Sequence, residues 1–225
     1  MKNRTYGTAR VALPGLDATD RHLRPVGHLG GDSVRDFLYA DTDLRDLDLI
    51  DTALLAGRIR NLSAQRTTLE GVRLSSVEIT ASTIASLAWS GSRATQVHWS
   101  GSRLMGATLS NVTLGDVLFE GCRLDYATFD NVRAAGTLVF DRCILTEAVF
   151  TGCDLTDALF RDCTLDKTTF NRGKYRGTDL RGNELSTISG TAHLTGVLLD
   201  PAQPDQLTRA LLTELDATVL PLDQT

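Results

Sequence analysis

The stretch CILTEAVFTGCDLTDALFRDC, residues 143–163, contains the pattern that decides the fold. A large apolar residue occupies every fifth position, at Leu145, Phe150, Leu155 and Phe160. The residue two places before each of them is Cys or Ala, and mostly polar residues fill the other places. An α-helix repeats its apolar face every 3.6 residues and a strand every two, so neither explains a period of five. The period indicates a chain that turns a corner every five residues, with two side chains inward and three outward.

The same period organises most of the chain. It extends over residues 44–185, and two weaker repeats are centred on Val34 and Tyr39. The register slips by one residue between Ala134 and Phe140. One added residue fits a bulge or a slightly widened corner, so we expect no projecting loop at this point.

Composition limits the class of protein. The chain has 225 residues, of which 42% are hydrophobic and 23% charged, enough for one sizeable core or two small domains. Its net charge of −5 argues against a general nucleic-acid binder, because phosphate contacts need a basic face. No segment approaches the roughly 18 consecutive apolar residues of a membrane span, and MKNRTYGTAR lacks the apolar core of a signal peptide. We therefore expect a cytoplasmic protein without a membrane partner.

The four cysteines fall on inward positions of the pattern. Cys122, Cys143 and Cys163 stack on one side of the rod once the slip is counted, and Cys153 faces them from the opposite side. The cytoplasm keeps thiols reduced, which argues against a disulfide framework. A metal site needs thiolates that converge on one point, which a stacked column does not provide. We interpret the cysteines as small core residues that are buried and slow to react.

Two tryptophans occupy the interior in the same way. Trp89, Ala94 and Trp99 are consecutive central residues of one coil, so two very large side chains flank a very small one. Volume compensation in a narrow rod explains this arrangement without a bound ligand.

Nothing in the sequence indicates a catalytic or metal site. His22, His28, His98 and His193 share no metal-ligand spacing, and no catalytic or phosphate-binding motif is found. An interior filled by its own side chains leaves no pocket for a substrate. The sequence predicts no enzyme activity, no cofactor and no metal; an enzyme would require a cleft between the N-terminal segment and the rod.

The stretches GCRLDYATFDN, CDLTDALFRDCTLDKTTF and TDLRGNELST resemble the pentapeptide-repeat proteins, whose repeat is A-[DN]-L-x-x. The resemblance covers residues 34–190. It implies an all-β solenoid, a right-handed quadrilateral β-helix with four pentapeptides in each coil. Seven to eight coils at a rise of about 4.8 Å would make a rod roughly 35 Å long.

The ends of such a rod need covers, and this requirement divides the chain into three parts. Residues 1–33 lack the period and carry Val11, Leu13 and Leu16 around a proline, so we expect an N-terminal cap with one strand. Residues 34–192 form the repeat rod, and residues 193–225 form a C-terminal helix and tail.

The C-terminal segment predicts an amphipathic α-helix. Pro201 and Pro204, each beside an aspartate, are helix-start signals. The apolar stripe of the helix comprises Leu207, Ala210, Leu211, Leu212 and Leu215. The segment is similar to the ending of the gyrase-targeting members of the family, which implies a homodimer through Leu207, Leu211, Leu212 and Leu215.

The resemblance also implies a function. The best-known activity of the family is binding to DNA gyrase, a type II topoisomerase, by presenting carboxylates along a DNA-sized rod. This binding protects the enzyme from quinolones or toxins, or inhibits it. The candidate partner-binding carboxylates are Asp116, Glu120, Asp125, Asp130, Asp141, Glu147, Asp154, Asp157 and Asp162. We expect Glu120, Asp141 and Asp162 to stack in one column, and Asp125, Glu147 and Asp166 in the next.

A basic belt favours a different partner. Residues 57–110 contain two acids, Glu70 and Glu78, against Arg58, Arg60, Arg66, Arg73, Arg93 and Arg103. A DNA mimic is not expected to carry a basic belt at mid-rod, because the belt would repel a basic DNA-binding surface. The alternative is an interaction scaffold whose partner is unrelated to DNA topology and contacts the belt or an uncharged wall.

Overall fold

The computed structural model describes residues 2–17 and 19–220. It confirms the predicted solenoid: parallel strands wind through about seven turns, and one α-helix follows them. The helix, α1, spans Gln203–Glu214, after a short 3-10 turn at Thr191–His193. The first two strands, β1 (Lys2–Tyr6) and β2 (Ala9–Leu13), form an antiparallel hairpin that is separate from the rod's ladders.

The remaining strands belong to the solenoid. Those before the register slip are β3 (Arg24–Pro25), β4 (Ser33–Arg35), β5 (Phe37–Ala40), β6 (Asp43–Ile50), β7 (Ala53–Arg60), β8 (Ser63–Glu70), β9 (Arg73–Thr80), β10 (Thr83–Ile84), β11 (Leu87–Ser90), β12 (Arg93–Ser100), β13 (Thr108–Ser110), β14 (Thr113–Glu120), β15 (Thr128–Asp130) and β16 (Arg133–Ala134). Those after it are β17 (Leu138–Asp141), β18 (Val149–Thr151), β19 (Leu159–Arg161) and β20 (Thr169–Asn171).

The backbone register gives each coil four walls, which we call A, B, C and D. Wall A comprises residues 33–36, 53–56, 73–76, 93–96, 113–116, 133–136, 154–157 and 174–177. Wall B comprises residues 38–41, 58–61, 78–81, 98–101, 118–121, 139–142, 159–162 and 179–182. Wall C comprises residues 43–46, 63–66, 83–86, 103–106, 123–126, 144–147 and 164–167. Wall D comprises residues 48–51, 68–71, 88–91, 108–111, 128–131, 149–152 and 169–172.

The corners explain why the polar places of the repeat favour Asp, Asn and Gly. The backbone adopts a positive φ at corner residues, for example 54° at Asn111, 54° at Asp116 and 58° at Gly121. Glycine enters this left-handed region freely, and Asn and Asp enter it more readily than other residues. The repeat therefore sets both the inward columns and the turns that separate the walls.

The register slip lies where the sequence predicted it. Ala134 pairs with Leu114, but Leu138 pairs with Val117, so one extra residue lies between Ala134 and Leu138. The hydroxyl of Thr137, within this bulge, donates a 2.9 Å hydrogen bond to the backbone carbonyl of Arg10.

The interior is filled by stacked side chains, as predicted. Phe119 and Phe140 stack with ring centroids 5.1 Å apart, and the buried rings of Trp89 and Trp99 lie 6.2 Å apart. The four cysteines are free and buried. Their sulfurs approach backbone carbonyls; the Sγ of Cys143, for example, donates to the carbonyl of Phe119 at 3.3 Å.

The N-terminal segment has two parts, and only one lies at the end of the rod. Leu29 is buried in the main core, and Arg24 pairs with Phe37 of the first coil. The hairpin instead packs on wall B, where Leu118 and Val139 point outward and need cover. We expected one strand in this segment; the two strands of the hairpin form because an apolar patch on the rod's side stabilises them.

The α-helix covers the other end of the rod. The side chain of Gln203, at the start of the helix, is buried. Its amide nitrogen donates hydrogen bonds to the backbone carbonyls of Leu180 and Asn183, at 2.8 and 2.7 Å. Pro204 occupies the first turn, as the sequence predicted. Ala210 is buried and Leu207 packs partly against the core.

Candidate interaction surfaces

The hairpin is fixed on wall B by an apolar cluster. Tyr6, Val11 and Leu13 pack on Leu118 and Val139, and all five side chains are buried. Val11 and Leu13 point to the same face of β2, as expected from the alternation of side chains along a strand. The cluster is separate from the main core inside the rod.

Polar contacts surround this cluster. The guanidinium of Arg4 lies 2.7 Å from the carboxylate of Glu120, and the hydroxyl of Tyr6 donates to Asp141 at 3.2 Å. The guanidinium of Arg161 lies 5.6 Å from the centre of the Tyr6 ring, a cation-π distance. The edges of the hairpin are therefore held by charged groups of wall B.

Glu120 is the centre of this network. Besides Arg4, it contacts the Nε2 of His98 at 2.9 Å and the guanidinium of Arg142 at 2.6 Å. Burial alone would raise the pKa of Glu120, but the hydrogen bonds from Arg4 and His98 outweigh it and hold the pKa below its usual value. Burial also lowers the pKa of His98, despite its hydrogen bond with Glu120.

Three of the predicted partner-binding carboxylates are thus engaged by the hairpin. Glu120 and Asp141 bind it through Arg4 and Tyr6, and Asp116 accepts a 3.3 Å hydrogen bond from the backbone N–H of Ala12. Sequence reasoning missed this role because the hairpin lies more than a hundred residues away along the chain.

Four more of these carboxylates form ion pairs within the rod. The pairs are Asp125 with Arg123 at 3.2 Å, Glu147 with Lys167 at 3.8 Å, Asp154 with Lys174 at 3.4 Å and Asp162 with Arg161 at 3.3 Å. Asp125 is also buried. Asp130 and Asp157 remain, within the described residues, with neither an ion pair nor a contact to the hairpin.

The predicted columns of carboxylates are wrong by one residue. Asp141 pairs with Glu120 in the preceding coil, as expected, but its partner in the next coil is Arg161 and not Asp162. The prediction added one residue to each coil after the slip, whereas only one coil of the structure contains an extra residue. For the same reason, Asp125 stacks on Thr146, and Glu147 stands one position later.

The predicted carboxylates do not form one acidic surface. Wall A carries Asp116, Asp154 and Asp157, and wall B carries Glu120, Asp141 and Asp162. Asp125 and Glu147 lie on wall C, and Asp130 lies on wall D. The structure therefore brings together only Glu120 and Asp141, beneath the hairpin.

The basic belt divides into paired and unpaired arginines. Arg58 forms ion pairs with Glu78 and Asp20, and Asp20 also lies 3.4 Å from Arg60. Arg66 pairs with Asp46. The unpaired arginines of the belt, among the residues that the structure describes, are Arg73, Arg93 and Arg103.

Two of these unpaired arginines stack on wall A. Arg73 and Arg93 are neighbours on adjacent strands of successive coils, and Arg133 follows two coils later. The full outward column, in order along the rod, is Ser33, Ala53, Arg73, Arg93, Thr113, Arg133, Asp154 and Lys174. Arg73, Arg93 and Arg133 are exposed, and none has an ion-pair partner in the described ranges.

In its central coils, the second outward column of wall A is made of small residues, in order Ser75, Thr95, Gly115, Ala135 and Thr156. Arg35 and Leu55 precede them in the column, and Arg176 follows. A Cβ added to Gly115 would meet no atom closer than 3.9 Å, so no neighbouring side chain presses on the backbone there. The arginines of wall A therefore stand beside a surface without long side chains, from Ser75 to Thr156, which we call the strip.

Two clefts separate the hairpin turn from the later coils of the rod. Their volumes are about 530 and 600 Å³, and both are lined by Tyr6, Leu159, Asp179 and Arg181. Arg181 lies 2.6 Å from Asp179, and this contact lowers the pKa of the Asp179 carboxyl. The two charged groups that line both clefts therefore pair with each other. The described residues hold no group of three metal-ligating side chains.

The predicted dimerisation leucines differ in exposure. Leu207 and Leu212 are half-buried. Leu211 is 38% and Leu215 65% exposed, and Val219 and Leu220 beyond the helix are more than half exposed. No helix of the described part is long and apolar enough to span a membrane.

Comparisons with known proteins agree with this architecture. Residues 112–189 match the family model of the pentapeptide repeat region. This part of the chain is a pentapeptide-repeat region. The coils before and after the pentapeptide-repeat region continue the same walls. No curated protein matches the sequence.

Solved structures of two proteins are similar to the chain. A trypsin-treated form of QnrB1, a plasmid-mediated fluoroquinolone resistance protein, has 15% identity and a TM-score of 0.45, over 81% of this chain and 100% of that one. Full-length QnrB1 has 17% identity and a TM-score of 0.34, over 84% and 98%. HetL, a pentapeptide repeat protein involved in heterocyst differentiation regulation in the cyanobacterium Nostoc sp. strain PCC 7120, has 15% identity and a TM-score of 0.19, over 76% and 89%.

Proposed function

We propose that this protein is a non-catalytic, protein-binding rod that presents wall A to its partner in the cytoplasm. The observation that carries the proposal is the column of exposed, unpaired arginines, Arg73, Arg93 and Arg133, beside a strip of small residues. Unpaired arginines on a rigid scaffold are ready to bind an acidic surface, because no internal ion pair must break first.

The filled interior supports a role without catalysis. Phe129, Phe140, Phe150 and Phe160 alternate between two stacks through the rod and leave no exposed surface. Binding must therefore use the outer walls, which is the usual arrangement in solenoid proteins. We propose that the protein needs no cofactor or metal and does not contact nucleic acid.

DNA gyrase is the second candidate partner. The first coil favours it, because exposed carboxylates stand on all its walls, at Asp36, Asp41, Asp43, Asp48 and Asp51. A DNA mimic needs such charges to continue along the rod, facing a basic DNA-binding surface. In the later coils, most of the candidate carboxylates are engaged by the hairpin or by ion pairs, so the geometry favours a partner unrelated to DNA topology.

A supercoiling assay separates the two candidates. Purified protein at micromolar concentration is added to DNA gyrase, with and without a quinolone. We expect no change in supercoiling or in drug-induced cleavage. A change in either one would favour gyrase as the partner and contradict a role unrelated to DNA topology.

The role of wall A is tested by affinity capture from the native host. The bait is the wild-type protein, the wall A variant Arg93→Gln/Arg133→Gln, or the matched wall C variant Arg66→Gln/Arg103→Gln. The same charge is removed in both variants. We expect one protein to be captured by the wild type and the wall C variant and to be lost with the wall A variant. Equal capture by all three baits would contradict the proposal.

We also propose that two copies associate through the outward side of α1. Leu211 and Leu215 are exposed one turn apart on α1, and Val219 and Leu220 beyond the helix are exposed as well. Exposed apolar side chains at the end of a rod favour association with a second copy. The dimer would double the number of walls presented to a partner.

A further inference from the structure

We propose that wall A binds an acidic α-helix of a partner protein, lying along the axis of the rod. This inference rests on the proposed protein-binding function and specifies the partner's chemistry. The wall's two outward columns carry six bases: Arg35, Arg73, Arg93, Arg133, Lys174 and Arg176. Their one acid is Asp154, which is paired with Lys174. The chain as a whole has a net charge of −5, so this wall reverses the sign of the surface.

The acids at the margins of wall A do not neutralise it. Asp116 is directed at the backbone of Ala12 in the hairpin. Asp36 and Asp157 stand at corners shared with wall B, and neither pairs with a base among residues 2–17 and 19–220. The partner therefore has to carry negative charge where it faces the arginine column, and no negative charge where it faces these corners.

The spacing of the bases fits a helix. Successive coils rise by about 4.8 Å, so Arg73 and Arg93 stand about 4.8 Å apart and Arg133 follows about 10 Å later. One face of an α-helix repeats every 5.4 Å, a mismatch of about 0.6 Å per coil. An extended strand repeats one face every ~6.7 Å, so its mismatch grows about three times faster. Flexible arginine side chains can follow the helix over several turns.

The shape of the wall also fits a helix. The strip from Ser75 to Thr156 covers four coil steps, about 19 Å, and carries no long side chain. The arginine column stands along one side of the strip. The hairpin strand β2 stands near the other, where Thr137 and Asp116 hold its backbone. A helix on the strip would be contacted from below and from both sides.

A helix suits this wall better than a nucleic-acid strand does. A helix can omit a carboxylate opposite Thr113 and Asp154, where the column offers no cation. A nucleic-acid strand carries a phosphate at every step and would bring negative charge against Asp154 and the corner acids. The charge pattern of the wall therefore favours a partner whose sequence can be matched to it.

The test uses a fluorescent, alanine-rich peptide of about 20 residues, long enough to span roughly 30 Å as a helix. Its Glu residues stand at every fourth position, so that they form a stripe along one face. A peptide of the same composition with its Glu residues distributed around the helix is the control. Binding to the full chain is measured by fluorescence anisotropy at low salt, where surface charges are least screened. We expect the striped peptide to bind, and Arg93→Gln/Arg133→Gln to weaken it by about tenfold or more. The wall C variant Arg66→Gln/Arg103→Gln should change its affinity by less than about twofold.

Three results would overturn the inference. The first is no binding of the striped peptide, and the second is equal weakening by the wall A and wall C variants. The third is tighter binding of a single-stranded oligothymidine that is lost in the wall A variant, which would assign the wall to nucleic acid. If affinity capture finds a partner that depends on wall A while the striped peptide fails to bind, the protein-binding function stands and the acidic helix is wrong.

Discussion

The hydroxyl of Thr137 donates a 2.9 Å hydrogen bond to the backbone carbonyl of Arg10, and this bond joins the one irregular point of the repeat to the hairpin. The extra residue between Ala134 and Leu138 places Thr137 beside β2. The register slip therefore has a structural role, because it helps to fix the hairpin on wall B.

Replacement of Val139 by Asp should release the hairpin without unfolding the rod. Val139 is buried beneath the hairpin but points away from the main core, so a carboxylate there loses its hydration only while the hairpin is docked. We expect trypsin to cleave after Arg10 much faster in the variant, with an unchanged β-sheet circular dichroism spectrum. Thr108→Asp, at an exposed position of wall D, is the control and should leave the cleavage rate unchanged. Unfolding of the whole chain by Val139→Asp would contradict the separation of the two cores.

Acidification should weaken the docking of the hairpin. The pKa values of His98 and Glu120 are both lower in the folded protein than their ordinary values of 6.5 and 4.5. The unfolded chain then binds more protons, so stability is fully present above pH 6.5 and is lost progressively as the pH falls through 4.5 and below. Trypsin cleavage is unsuitable at low pH, so pepsin or hydrogen exchange of β1 and β2 should be followed. His98→Gln should remove the upper part of this pH dependence. A protection of β1 and β2, relative to the intrinsic exchange rate, that does not change with pH in the wild type would contradict it.

Thr67→Val should stabilise the protein. The hydroxyl of Thr67 is buried and has no hydrogen-bond partner within the described residues, and valine has nearly the same shape. We expect a gain of about 0.5–1 kcal/mol in the free energy of unfolding, measured by denaturant titration. Thr168 stands in the same inward column, but its hydroxyl donates to the carbonyl of Leu145 at 2.8 Å. Thr168→Val should therefore destabilise by a similar amount, and equal effects of the two substitutions would show that the hydroxyls are not in different environments.

The thiols should react slowly with alkylating reagents in the folded protein. Burial raises the pKa of Cys153 to about 11. Hydrogen bonding with Cys122 and Cys163, together with burial, raises the pKa of Cys143 well above its ordinary value. Cys143 and Cys153 therefore carry little thiolate at neutral pH, and access to any of the four buried thiols requires opening of the coil. Reaction with a chromogenic disulfide reagent should be complete only after denaturation. Fast labelling of Cys143, Cys153 and Cys163 without denaturant would contradict the inward register.

Leu211→Glu/Leu215→Glu should give a monomer. Both side chains are exposed on α1, so the substitution should leave the contacts of Gln203 and Ala210 with the rod intact. Light scattering should give the mass of two chains for the wild type and of one chain for the variant. Thr213→Glu, at an exposed position on the opposite face of α1, is the control and should remain dimeric. A monomeric wild type would contradict the proposed dimer.

The sequence alone was enough to predict the solenoid, because the same repeat determines the core, the corners and the position of the bulge. Its period fixes the inward columns, its Asp, Asn and Gly residues fit the left-handed corners, and its departure at Ala134 marks the bulge. Each of these features depends on residues close in sequence or exactly repeated along the chain. The amphipathic stripe of α1 was predictable for the same reason.

The position of the hairpin was not predicted, although one signal was present. Leu118, Val139 and Leu159 occupy outward places of the repeat, where polar residues are the rule, and they stack in one column. An apolar outward column indicates that another segment covers that wall. The covering segment is remote in sequence, so the period contains no information about it. The contacts of Glu120 with Arg4 and of Asp141 with Tyr6 could not be predicted without the hairpin, for the same reason.

Site-specific photo-crosslinking in the native host tests the central claim, that wall A is the binding surface, most directly. A photoreactive phenylalanine analogue replaces Thr95 in the strip of wall A, or Thr108 on wall D as a control; both side chains are exposed. The account predicts a specific protein adduct from position 95, lost on adding Arg93→Gln/Arg133→Gln, and none from position 108. An adduct from position 108 but not from position 95 would contradict it.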